Sequence, residues 1–148
     1  MQFQSETQAL TVADDSRQDP REREQAIYYL AEHPSPRGIQ TMVRLLEDDD
    51  FGVRWVAAVG LSRVGEAALP ELLEALVDPH RVADPRLREG AYHVLHYNFS
   101  PMVSELAWDL MKALKGSAAD ITTLEAASRV LARFQAQQRG TAVASAGR

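Results

Sequence analysis

Glu89, His93 and His96 come nearest, among the residues of this chain, to a pattern that does metal chemistry. Steps of four and three place all three on one face of a helix, and imidazole nitrogen with carboxylate oxygen is a donor set for zinc or iron. One helix alone rarely closes such a site, and no second segment supplies further ligands, so the expectation is surface histidines and no metal. The run Asp48-Asp49-Asp50 invites a calcium reading. Calcium wants about six or more oxygens, and neither the loop glycine nor the distal Glu of an EF-hand follows, so helix capping is the better reading. The chain has no cysteine, no Gly-x-Ser-x-Gly elbow and no Gly-rich phosphate loop. Thiolate, acyl-transfer and nucleotide chemistry therefore have nothing to stand on. No catalytic residue and no cofactor are expected.

Which side chains can meet depends on the elements that carry them, and those elements repeat. The spacing Asp, Arg, Ala, Leu occurs as Asp19, Arg23, Ala26, Leu30, as Asp50, Arg54, Ala57, Leu61, and as Asp84, Arg88, Ala91, Leu95. A fourth copy starts at Asp120, with Leu124 in place of Arg and with Ala127 and Leu131 retained. The starts lie 31, 34 and 36 residues apart, the span of a stacked helical pair. Each Asp suits a helix N-terminus, where it caps free backbone N–H groups and meets the positive end of the dipole. Ala and Leu, four apart, share a buried face. A second helix in each unit carries its own apolar stripe: Ile39, Met42, Val43, Leu46; then Leu69, Leu72, Leu73, Leu76; then Val103, Leu106, Ala107, Leu110. Neither helix buries its stripe alone, so neighbouring pairs must stack into one core.

At about 100° per residue, the positions five, nine and thirteen after each Asp point away from that core. The first of these holds Glu24, Trp55, Glu89 and Glu125; the second Tyr28, Val59, His93 and Arg129; the third Glu32, Arg63, Tyr97 and Arg133. Trp55, Tyr28, Val59, His93 and Tyr97 are thus expected near one another on the outer face of the first helices. Exposed aromatics in a cluster are the usual chemistry of a protein–protein contact, and a self-complementary patch also serves a homodimer. On the second helices the outward column is Arg44, Glu74 and Trp108, a second candidate surface.

The run Asp50, Val53, Arg54, Ala57, Ala58, Leu61, followed by Leu69, Pro70, Leu72, Leu73, Leu76 and Asp78, resembles a HEAT repeat of the short bacterial phycobilin-lyase type. The resemblance covers residues 19–137. It implies an all-α, right-handed α–α superhelix, a short solenoid of about three helix pairs with capping helices at its ends. It also implies that first helices are convex, second helices concave, and that Asp19, Arg23, Asp50, Arg54, Asp84 and Arg88 tie adjacent repeats together in a ladder. As to function, the family spans scaffolds, lyases, hydroxylases and nucleic-acid enzymes. The hydroxylases resembling it use adjacent His-Glu pairs, and this chain has only the reversed Glu32-His33. A phycobilin-lyase-like or other small-ligand role is the alternative to a non-catalytic protein-binding module.

Composition agrees with a binding module. A net charge of −5 with only two lysines, Lys112 and Lys115, argues against holding nucleic acid over a large surface. No apolar run of about 18 residues is present, and the first residues lack the charged and apolar regions of a signal peptide, so no membrane partner and a cytoplasmic location are expected. Residues 1–18 read either as an N-terminal cap, started by Ser5 and Gln8, or as a flexible segment. The repeat units run about 19–48, 50–78, 84–115 and 120–137, and 138–148 is too small and polar to pack, hence a disordered tail.

Overall fold

The computed structural model describes residues 3–146, which form helices and connecting turns with no strand. The repeat phase holds. Helices α1 (Glu6–Asp14), α2 (Pro20–Glu32), α3 (Pro36–Arg44), α4 (Phe51–Arg63) and α5 (Leu69–Leu76) come first. They are followed by a short α6 (Pro79–Val82), then α7 (Pro85–Tyr97), α8 (Pro101–Leu106), α9 (Trp108–Lys115) and α10 (Ala119–Ala146). The three first helices, α2, α4 and α7, each span 13 residues. Each begins behind its expected Asp. Asp19 accepts from Arg21 N at 2.8 Å, Asp50 from Val53 N at 2.9 Å and Asp84 from Arg86 N at 2.9 Å.

These caps fix where each helix starts, and its apolar stripe fixes which way it faces. Ala26, Ala57 and Ala91 are fully buried, and Leu30, Leu61 and Leu95 lie beside them in the core. All twelve residues of the second-helix stripes are buried as well. A leucine such as Leu72 or Leu73 stabilises by about 1.5–3 kcal/mol relative to an exposed one. The helices α2, α4 and α7 pack side by side, with α1 against α2 at one end, while α3 and α5 pack against each other in a second row. The N-terminal segment is therefore a cap: Ala9, Val12 and Ala13 of α1 are buried, and Phe3 sits 6.0 Å from Tyr29. Residues 1–2 and 147–148 of the two terminal segments lie outside the described residues.

The C-terminal third departs from the expected repeat. Its second helix is broken at Ala107 into α8 and α9, although Val103, Leu106, Ala107 and Leu110 are buried as the stripe requires. Helix α9 packs against α7 and α10, and α10 packs against α5. The last helix thus covers this end of the stack. Ala126, Ala127, Val130 and Phe134 form the face that demands this cover. Asp120 is no cap but lies inside the first turn of α10, which follows Ala118 at φ +50°. The segment 138–146, expected to be disordered, continues α10. It is exposed from Gln135 to Thr141, where Gln, Ala and Arg at 135–139 have good helix propensity.

The ladder between repeats also has different rungs from those expected. Asp19, Asp50 and Asp84 cap their own helices, and the cross-links converge on residues 47–49 instead. Arg23, only 3% exposed, donates to both Asp48 carboxylate oxygens at 2.7 and 3.1 Å and to the Ala13 carbonyl at 3.0 Å. Arg54 donates to the Asp48 carbonyl at 2.7 Å, just as Arg88 donates to Val82 O at 2.7 Å. Arg81 pairs with Glu47 at 3.0 Å and Arg86 with Asp49 at 3.2 Å. One turn therefore gathers arginines from three consecutive units. A further tie joins later turns: Asn98, itself buried, donates to Gly65 O at 2.9 Å and accepts from Ser100 N at 3.0 Å.

Candidate functional site

The site is built on the exposed edges of α4, α7 and α9. Capping by Asp50 sets the start of α4, so Phe51 and Trp55 project from it while Val53, Val56 and Ala57 go inward. Trp55 is 52% exposed. On α7 the sequence YHVLHY buries Val94 and Leu95 and leaves Tyr92, His93, His96 and Tyr97 on the outer side. Gly90 permits α7 to lie close on the turn beneath, since a Cβ there would meet Leu46 at 3.0 Å. The neighbours that result are aromatic. Trp55 meets His93 edge-on at 4.7 Å, His93 meets Tyr97 at 4.6 Å, Tyr97 meets His96 at 4.7 Å, and His96 stacks on Tyr92 at 5.5 Å. The ladder of rings ends in a cation, with Lys115 Nζ 4.2 Å from the centre of the Tyr92 ring.

Between these helices runs a groove of about 570 Å³, with Leu46, Ala58 and Gly90 among its lining. A second groove of about 470 Å³ adjoins it, sharing Tyr92, His96 and Lys115 and adding Trp108, Met111 and Lys112. Trp108 is 60% exposed, with Lys112 Nζ 5.5 Å from its ring. Arg54 stands 5.6 Å over Phe51, but its guanidinium is held by the Asp48 and Asp49 carbonyls. Arg86 is likewise held by Asp84 and Asp49. Burial pushes the His93 imidazole below its usual pKa, and the neighbouring His96 adds to this. Among the described residues no three His, Asp or Glu side chains converge on a metal position. The surface offers stacking, apolar contact and cations.

Of the outer set named from sequence, Trp55, His93 and Tyr97 come together. Tyr28 and Val59 are half-buried and do not line the groove; Arg63 lies 5.9 Å over the Tyr28 ring. The column Arg44, Glu74, Trp108 does not assemble as one surface. Arg44 pairs with Asp14 of α1, Glu74 is exposed on α5, and Trp108 joins the same track as Trp55. The two tryptophans, assigned to opposite faces, border one continuous surface because α9 packs beside α7. Phe51, Tyr92, His96, Lys112 and Lys115 were missed as groove residues. The signal for the lysines was present: they are the chain's only two, three positions apart.

A family model for HEAT repeats matches residues 8–96, well over half of the chain. No curated protein and no solved structure matches it.

Proposed function

From the premise that this chain belongs to the HEAT-repeat family, we propose that it is a non-catalytic binding module that takes another protein in the groove between α4, α7 and α9. One observation carries the reading. The ring ladder runs from Trp55 on α4 through His93, Tyr97 and His96 to Tyr92 on α7, and two of its members are largely exposed, Trp55 at 52% and Tyr97 at 62%. Large exposed aromatics over a concave, partly apolar floor are what binding hot spots are made of. Solenoids of stacked helical pairs commonly supply such extended surfaces. The repeats are read as the short phycobilin-lyase type, acting in the cytoplasm, and self-pairing through the same rings is the homodimeric form of this reading. A groove of about 570 Å³ also suits a small ligand, and colour or an organic ligand carried through purification would favour that second reading.

The test is affinity capture from native lysate with wild type beside Trp55→Glu. Glu stands at the equivalent position of the other three repeats, so the fold should survive the change, and an unaltered melting temperature checks it. Loss of a captured protein with the variant supports the groove as the binding face. Retention of the same protein by both removes it.

A further inference from the structure

The charge around this groove runs against that of the chain. The protein carries a net charge of −5, yet both of its lysines stand at one end of the ring ladder, exposed on α9. Neither is in an ion pair among the described residues. Each instead lies over a ring, Lys115 over Tyr92 at 4.2 Å and Lys112 over Trp108 at 5.5 Å. An ammonium resting on a ring face still presents N–H donors outward. Arg54 and Arg86, by contrast, spend their guanidinium donors on the Asp48, Asp49 and Asp84 groups beside them.

We propose that the groove takes a short acidic segment of a partner protein, with carboxylates on Lys112 and Lys115 and an apolar side chain against Trp55, His93 and Tyr97. This rests on the groove being the binding face proposed above. The two grooves share Tyr92, His96 and Lys115, so they form one track: the Trp55 end is aromatic, with Glu89 and the ion-paired Arg86 also in its lining, and the α9 end carries the two unpaired lysines. An extended peptide crosses both. Nucleic acid stacks on aromatics too, but its affinity comes from many neutralised phosphates, and the two unpaired lysines along this groove supply too few. Carboxylates spaced along one short segment match that number.

The experiment is fluorescence anisotropy with a labelled peptide of alternating Glu and Leu, set beside the same peptide with Lys for Glu. The proteins are wild type, Lys112→Glu/Lys115→Glu, and the milder Lys112→Gln/Lys115→Gln. Both lysines are exposed, so unchanged circular dichroism is expected of either double variant. The acidic peptide should bind wild type, weaken with added salt, and lose about tenfold or more in affinity to the Glu double variant, with the Gln variant between. The Lys peptide should not bind. Equal binding of both peptides, or indifference to the lysine variants, overturns the proposal. So does displacement of the peptide by unlabelled oligothymidylate at equal concentration, which would point to nucleic acid. A dimer seen by sedimentation that excludes the peptide assigns the groove to a second copy and overturns it as well. If the acidic peptide fails to bind while cellular capture still depends on Trp55, this inference falls and the binding-face reading stands. If capture ignores Trp55, both fall.

Discussion

Arg23 and Asp48 meet in a two-pronged bond, at 2.7 and 3.1 Å, that joins α2 to the turn before α4 across 25 positions of chain. Arg23 is nearly sealed from solvent, so its charge depends on this one carboxylate and on the Ala13 carbonyl. Removing one partner strands a buried charge, which costs about 3–5 kcal/mol. Arg23→Met and Asp48→Asn should each lower stability by an amount of that order in chemical denaturation. The double variant should lose less than their sum, because each single change already breaks the same pair. Strict additivity would show that the two do not depend on each other.

The same pair sets an acid limit. Burial by itself raises the Asp48 pKa, but the bond from Arg23, the Asp50 N–H and the charges of Arg23 and Arg54 outweigh it and hold the carboxyl below its ordinary value. Asp84 is lowered too, first by its bond from Arg86, against a smaller effect of burial. A lowered folded pKa means stability that is complete above the ordinary carboxylate pKa of about 4 and lost as pH falls through the folded value. Melting temperature should drop as pH falls from about 5 to about 2. The drop should be shallower in Asp48→Asn.

His93 works at a higher pH. Its folded pKa is lowered by burial and then by His96, so between that value and the unfolded one of about 6.5 the unfolded chain binds the proton first. Stability therefore falls as pH drops below about 6.5. His93→Gln should flatten this part of the profile. In an NMR titration, the His93 ring signal should move below the ordinary imidazole pKa of about 6.5.

Two backbone positions have opposite expected responses. Gly65 sits at φ +69°, and a Cβ there would also meet the Phe99 ring at 3.0 Å, so Gly65→Ala should cost about 1–2 kcal/mol or more. Ala118 sits at φ +50°, in the region where glycine is at ease, while Gly116 two residues earlier has an ordinary negative φ. Ala118→Gly should be stabilising, by up to about 1 kcal/mol after the added freedom of the unfolded chain is subtracted. Thermal melts of both variants give the two signs.

Thr123 of α10 is fully buried and its hydroxyl has no hydrogen-bond partner among the described residues. Thr123→Val keeps the shape and removes the unpaired group, so a gain of about 1 kcal/mol is expected in denaturation. A loss of stability would mean that the hydroxyl is satisfied in solution.

The sequence by itself determined the parts of this protein that depend on neighbours along the chain. A capping Asp, an Ala and Leu four apart and a returning apolar stripe are local features, and α2, α4 and α7 start and face as those features require. On α7, His93 and Tyr97 could be placed outside the core from register alone, but Tyr92 and His96 could not be assigned to the same surface. What the tertiary structure decided was adjacency between elements. Nothing near Asp48 marks it, over Asp49 or Asp50, as the partner of Arg23; that follows from how closely α2 and α4 pack. The register of Trp108 placed it outward on its own helix, but not which neighbour lay beside it. Helix α10 buries its apolar face on α5, α9 lies along α7, and so Trp55 and Trp108 share one track. Apolar faces are non-directional, and several arrangements satisfy the same stripes. Only the packing of all the helices together selects the one that assembles this groove.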